Sequence, residues 1–135
     1  MQRDIAALLA LPGKCLWMDS YMLSKPGAVK EVKESWEAVL YRVRGKIFGL
    51  LFRDNRDRLI LNLKCEPYLA LWYRTQYPHI AAGYHMNKLH WNSVYLEGDT
   101  PDEAVRELLD MSYVLVCNGL PRRVRAELGR SGCGN

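Results

Sequence analysis

Residues 83–94 read Gly-Tyr-His-Met-Asn-Lys-Leu-His-Trp-Asn-Ser-Val, which puts two histidines, two asparagines, a lysine and two large aromatics in one short span. Connecting segments that carry such side chains are where binding groups tend to sit. His85 and His90 are five residues apart, so they do not form the i,i+4 pair of a metalloprotease helix, and no HExxH glutamate lies between them. Nucleophilic catalysis would draw on Ser93 or Cys65, yet neither stands in a G-x-S-x-G frame. Gly45-Lys46 lacks a surrounding Walker pattern and reads as a hairpin turn, not a phosphate loop. His85, Lys88, His90 and Asn92 have the side chains for acid–base work at a small-molecule site, but no second catalytic partner is identifiable. Lys88, His90 and Asn92 with Tyr84 and Trp91 suit a polyanion better, with cations for phosphates and aromatics for sugars or bases. The plain structural alternative is that Trp91 plugs the core while Asn87 and Asn92 fix turns through their own backbone. No cofactor or metal is expected from these patterns.

Such a segment needs a scaffold. The chain has 135 residues, 49% hydrophobic and 25% charged, which suits one folded domain over residues 1–135. Residues 1–14 read as an extra N-terminal helix or arm, and residues 129–135, rich in glycine, as a flexible tail. Residues 16–24 predict a helix stopped by Pro26-Gly27. Residues 29–34 and 38–44 predict strands. In the second, Val39, Tyr41 and Val43 alternate with Leu40, Arg42 and Arg44, the period of two that turns one side of a strand inward. Gly45 can take the positive φ of a tight turn. Residues 46–52, apolar on both faces, predict a central strand, and the polar run 53–57 a second turn. Residues 58–64 follow as a strand with Leu59, Leu61 and Leu63 toward the core and Ile60, Asn62 and Lys64 opposite. Strands joined by turns this short must pair antiparallel.

The second half predicts a helix opened by Glu66-Pro67, with Leu69, Trp72 and Tyr73 at helical spacing, and a short strand at 93–97. Thr100-Pro101-Asp102-Glu103 reads as a capping box with threonine at the N-cap. Val105, Leu108, Leu109, Ser112 and Val116 form the inward stripe of that helix, Asn118-Gly119 ends it, and a short basic helix runs from Pro121 to Leu128. This order implies an α+β fold: a two-layer α/β sandwich, its antiparallel sheet covered by helices on one face.

The net charge is +4, but its distribution is uneven. Between residues 41 and 64 seven basic side chains (Arg42, Arg44, Lys46, Arg53, Arg56, Arg58 and Lys64) face two acidic ones. Between residues 97 and 110 six acidic side chains face Arg106 alone, and Arg122, Arg123 and Arg125 make the last helix basic. Such polarity can steer a polyanion, and it is also what solvated strand and helix faces look like. Cys15, Cys65, Cys117 and Cys133 form no C-x-x-C pair, so reduced, partly buried thiols in a cytoplasmic protein are expected. No run approaches the ~20 apolar residues of a membrane span.

Residues 83–88, Gly-Tyr-His-Met-Asn-Lys, followed by His90-Trp91-Asn92, resemble the signature stretch of the MmcQ/YjbR family. Lys25-Pro26-Gly27, Gly45-Lys46-Ile47-Phe48, Leu63-Lys64-Cys65 and Ser112-Tyr113 agree in the same order, so the resemblance runs from about residue 24 to 120. It implies a two-layer α/β sandwich with an antiparallel sheet, and DNA binding as the label usual for the family. Residues 1–14 fall outside it, and no helix-turn-helix, zinc finger or other standard groove reader is encoded.

The leading expectation is therefore a DNA-binding module. Arg42, Arg44, Lys46, Lys64, Lys88, Arg122, Arg123 and Arg125 would contact phosphates. Tyr84, His85, Asn87, His90, Trp91 and Asn92 would make stacking or edge contacts. The alternative is an interaction or homodimer surface on an open sheet face carrying Leu40, Phe48, Leu50, Phe52 and Ile60.

Overall fold

The computed structural model describes residues 4–129. Six antiparallel strands form one sheet in the order β1-β2-β3-β4-β6-β5. They are β1 (Ala28–Lys33), β2 (Ala38–Val43), β3 (Lys46–Arg53), β4 (Leu59–Lys64), β5 (Ile80–Ala82) and β6 (Trp91–Tyr95). The helices are α1 (Ile5–Leu8), α2 (Leu16–Leu23), α3 (Pro67–Gln76), α4 (Asp102–Asn118) and α5 (Arg122–Gly129). The fold is the expected α+β sandwich. The single turn α1 buries Ile5 and is followed by buried Leu9, so this part of the N-terminal segment is docked on the core. The expected flexible tail lies, beyond Gly129, outside the described residues.

Alternation decides which side chains reach the helices. Val39, Tyr41, Val43, Leu51, Leu59, Leu61 and Leu63 form the main core with Met18 and Met22 of α2 and Val105, Leu108, Leu109, Tyr113 and Val116 of α4. The β2–β3 hairpin closes through Arg44 (φ 48°) and Gly45 (φ 83°), the two left-handed positions that a tight, correctly twisted turn requires. Tyr41 pairs with Gly49 but Arg42 with Ile47, so Phe48 is an extra residue in β3. This bulge turns Phe48 to the helix side, where it meets the Tyr113 ring edge-on at 5.3 Å. Strict alternation would have left Phe48 on the opposite face.

Three further expectations change. Helix α3 buries Ala70 and Tyr73 and leaves Leu69 and Trp72 exposed, because it packs at the β5/β6 edge, where only a narrow stripe reaches the core. The capping box at Thr100 does not form. Pro101 occupies the cap position and has no N–H for Glu103 to bind, and the Thr100 hydroxyl is buried without a hydrogen-bond partner. Strand β5, three residues long, was too short to stand out by period; it pairs antiparallel with β6.

The sheet face away from the helices, the outer face, is not bare. Ala38, Leu40, Phe52 and Ile60 form a second buried cluster there, closed by Ile47, Leu50, Tyr84 and Tyr95. Of the residues expected to lie open, Leu40, Phe48 and Ile60 are fully buried, Phe52 is buried and Leu50 is half-buried. Phe48 is buried on the helix side by its bulge, while Tyr84, on the loop that begins at Gly83, packs over the others on the outer face.

Candidate functional site

A chain of polar contacts holds that loop in place. Asn62 on β4 and Ser93 on β6 are register partners, both fully buried on the outer face. The Ser93 hydroxyl donates to Asn62 Oδ1 (2.5 Å), Asn62 Nδ2 donates to the Tyr84 carbonyl (2.9 Å), and the Tyr84 amide donates to Ser93 Oγ (2.8 Å). The cycle satisfies polar groups that burial would otherwise leave unpaired. It also lays the Tyr84 ring on Phe52, with centroids 5.9 Å apart and planes 20° apart.

Arg74 on α3 fixes the other end of the loop. Its Nε donates to Asn92 Oδ1 (2.6 Å), and its Nη2 donates to the carbonyls of Lys88 and Trp91, the latter at 3.2 Å. Asn92 is itself fully buried and donates to the Ala70 carbonyl (3.3 Å). Asn92 is thus a structural clamp, not a surface contact group. Asn87 is a turn residue: its Oδ1 accepts from the amides of Leu89 (2.9 Å) and His90 (3.2 Å). Lys88 Nζ is drawn back to the Gly83 carbonyl (3.2 Å). His90 is exposed, and its carbonyl accepts from the Cys65 amide (2.8 Å). The Cys65 thiol is pushed up to about 11 by burial and by the neighbouring Glu66, so it holds its proton and is no nucleophile at neutral pH.

Two grooves flank the loop, and Met86 lines both; the first wraps the hairpin end of the sheet, since Val116 and Gly119 from the helix layer line it as well. The first, about 490 Å³, is lined by Arg42, Gly45, Lys46, Ile47, Lys64, Met86, Trp91, Val116 and Gly119. Pairing explains the convergence: Arg42 lies opposite Ile47, and Lys64 opposite Trp91, all on the outer face near the hairpin end of the sheet. Three cations and an aromatic line this groove, with no acidic side chain among its lining residues. Arg42 is partly committed, since its Nε bonds Glu31 (3.1 Å) and its Nη1 donates to the Gly45 carbonyl (2.9 Å).

Arg122, Arg123 and Arg125 are exposed on α5, which begins three residues after Gly119. Helix α5 sits close against the sheet because Gly27, at φ 74°, has no side chain; a Cβ there would lie 2.7 Å from Leu128 Cδ2. Arg44 is turned away from the groove and pairs with Glu127 (3.1 Å).

The second groove, about 480 Å³, is lined by Leu8, Trp36, Glu37, Ala38, Leu50, Phe52, Arg53, Asp54, Asp57, His85 and Met86. Its floor is the outer face of β2 and β3. His85, at φ 61°, lies 4.1 Å centroid to centroid from Tyr84 and 6.4 Å from Phe52. Polar groups along this groove are tied into the structure, and Asp57 Oδ1 lies 4.0 Å from Arg53 Nε. The shielded Asp54 carboxylate accepts from the amides of Arg56 (3.0 Å) and Arg58 (2.9 Å) and from Arg58 Nε (2.8 Å). Burial works to raise its pKa, but these hydrogen bonds outweigh it and hold the carboxyl below its ordinary value. Arg53 Nε donates to the Leu8 carbonyl (2.7 Å) and Nη1 to the Asp57 carbonyl (2.7 Å), tying α1 to the β3–β4 turn.

The structure therefore unites Arg42, Lys46, Lys64 and Trp91 of the sequence-derived set, and keeps Arg122, Arg123 and Arg125 nearby along the chain. It sends His85 to the second groove, packs Tyr84 into the second cluster and buries Asn92. Sequence reasoning missed Asn62 and Arg74, which position everything else. A polar Asn inside the apolar strand 59–64 was the available signal for the first; Arg74, one more charge on a helix, carried none.

Comparison with known proteins places this arrangement. The protein YjbR of Escherichia coli K12 is 35% identical over 105 residues, covering 78% of this chain and 88% of the relative. YbdF of Escherichia coli O157:H7 is 39% identical over 84 residues, covering 62% of this chain and 68% of YbdF. The crystal structure of Deinococcus radiodurans DR2400, described as a DUF419 domain, superposes with a TM-score of 0.74 at 30% identity, covering 87% of this chain and 92% of that one. The YjbR family model matches residues 23–115, from the end of α2 through most of α4 and including both grooves' strands and the loop between them, so the chain belongs to the YjbR family.

Proposed function

We propose that the chain is a nucleic-acid-binding module that holds the phosphate backbone in the basic groove at the hairpin end of its sheet. The observation that carries this reading is the convergence of Arg42, Lys46 and Lys64 with Trp91 in one groove lined by no carboxylate. Cations spaced along a groove neutralise successive phosphates, and an aromatic wall offers a face to a sugar or base. The exposed arginines of α5 extend the positive field beyond the groove and would steer a polyanion toward it. Contacts of this type fix position without reading sequence, which suits a surface lacking a helix poised for the major groove. The fold itself carries no activity; the reading rests on the groove.

The test is a titration of the protein into labelled DNA by fluorescence anisotropy at several salt concentrations. Micromolar binding that weakens steeply with salt supports the reading. No binding at low salt overturns it.

A further inference from the structure

The second groove differs from the basic one in its lining, where Arg53 is joined by carboxylates and apolar side chains. Its side walls include Trp36, His85 and Met86, its floor includes Ala38, Leu50 and Phe52, and Glu37 and Asp57 stand among its lining residues. Carboxylates repel phosphates but accept hydrogen bonds from the exocyclic amino groups of bases. The volume of about 480 Å³ lies within the ~300–1,000 Å³ usual for small, mostly apolar ligand sites.

The backbone gives an independent sign. Four described non-glycine residues have positive φ, and three of them, Glu37 (48°), Asp57 (62°) and His85 (61°), line this groove. Held left-handed conformations cost free energy and concentrate where side chains must be aimed at something. The floor is rigid, since Phe52 is stacked on Tyr84 and Tyr84 is locked by the Asn62–Ser93 cycle.

Position completes the argument. Met86 lines both grooves, so a chain lying in the basic groove passes beside the opening of the second. Resting on the nucleic-acid reading above, we infer that the ligand is single-stranded and that this groove takes one unstacked base bearing an exocyclic amino group. Trp36, whose ring also carries Lys33 Nζ at 4.2 Å, and His85 offer ring faces for stacking, and Glu37 and Asp57 accept from the amino group alongside the contacts they already make. A base within a duplex is not free to enter, so duplex DNA binds through the basic groove alone.

The experiment compares labelled oligo(dC), oligo(dT) and a duplex of equal length by anisotropy near neutral pH. Oligo(dC) should bind roughly tenfold tighter than duplex and several-fold tighter than oligo(dT). Trp36 is 52% exposed, so Trp36→Ala should keep the fold, checked by circular dichroism. It should weaken oligo(dC) about tenfold while leaving the salt slope unchanged, because no phosphate contact is lost. Glu37→Gln should narrow the gap between oligo(dC) and oligo(dT). Duplex binding as tight as oligo(dC), or indifference to both substitutions, overturns the base site while leaving the basic groove standing. Absence of all binding at low salt overturns the nucleic-acid reading itself.

Discussion

The two grooves flank the same loop, are of nearly equal size and share Met86, yet their linings are opposite in character. One gathers Arg42, Lys46 and Lys64 around Trp91; the other gathers Glu37, Asp54 and Asp57 around Trp36 and Phe52, with Arg53 spent on backbone carbonyls. The sheet does not impose this difference. In the basic groove the strands carry charge at their hairpin ends, where alternation points Arg42 and Lys64 outward. In the other groove the strand middles contribute apolar floor, Arg53 stands at the end of β3, and the carboxylates come from turns. Site character is thus decided at strand ends and turns, while the strand middles supply a common platform.

The largest effect that would break this contrast is on nucleic-acid affinity. Replacing Arg42, Lys46 and Lys64 together with alanine should weaken single-stranded DNA about 100-fold at low salt. It should also make the salt dependence shallower by about two in log–log slope, since each lost phosphate contact is worth ~0.7. An unchanged slope would show that the basic groove does not bind phosphates.

Next comes the element common to both grooves. Asn62→Ala leaves the Ser93 hydroxyl proton without its acceptor and the Tyr84 carbonyl without its donor in a buried site, and should cost about 2–3 kcal/mol in urea unfolding. Because Met86 rides on the loop that Asn62 anchors, the same variant should impair both grooves together. Loss at one groove only would separate them mechanically.

A smaller effect concerns Asp54, which shapes the acidic side alone. Asp54→Asn should lower the melting temperature by about 5 °C at neutral pH. Its folded carboxyl is held below the unfolded value, so its contribution is fully present above about pH 4 and is lost as pH falls through the folded value. The variant should therefore show a flatter acid limb in its stability profile, measured by thermal melts from neutral to acid pH. Oligonucleotide binding through the basic groove should not change.

The smallest expected change is at Arg44. It pairs with Glu127 outside the groove and both side chains are half exposed, so Arg44→Ala should alter stability by less than about 1 kcal/mol and leave the salt slope as it was. A fall in slope as large as that of Lys64→Ala would redraw the groove's boundary to include α5.

Much of the scaffold could be read directly. Period-two alternation gave β2 and β4, the Arg44-Gly45 turn gave their antiparallel neighbour, and the stripe from Val105 to Val116 gave the buried face of α4. The bulge at Phe48 could not be read, because an extra residue leaves the local pattern apolar either way. Nor could the failed cap at Thr100, since the capping-box sequence is intact and only the backbone position of Pro101 rules it out.

For the site, the division follows range. Residue types and alternation determined by themselves that Arg42 and Lys64 leave the sheet on the side opposite the main core, and that residues 83–94 form a segment rich in binding groups. Only the tertiary structure decided that β4 pairs with β6, which sets Lys64 beside Trp91 and joins Asn62 to Ser93. These contacts span about 30 residues of chain and depend on strand order, which periodicity within a strand does not encode. The same long-range packing buried Asn92 behind Arg74 and separated His85 from Lys64. Side-chain chemistry is local and legible; which chemistries meet is a property of the sheet.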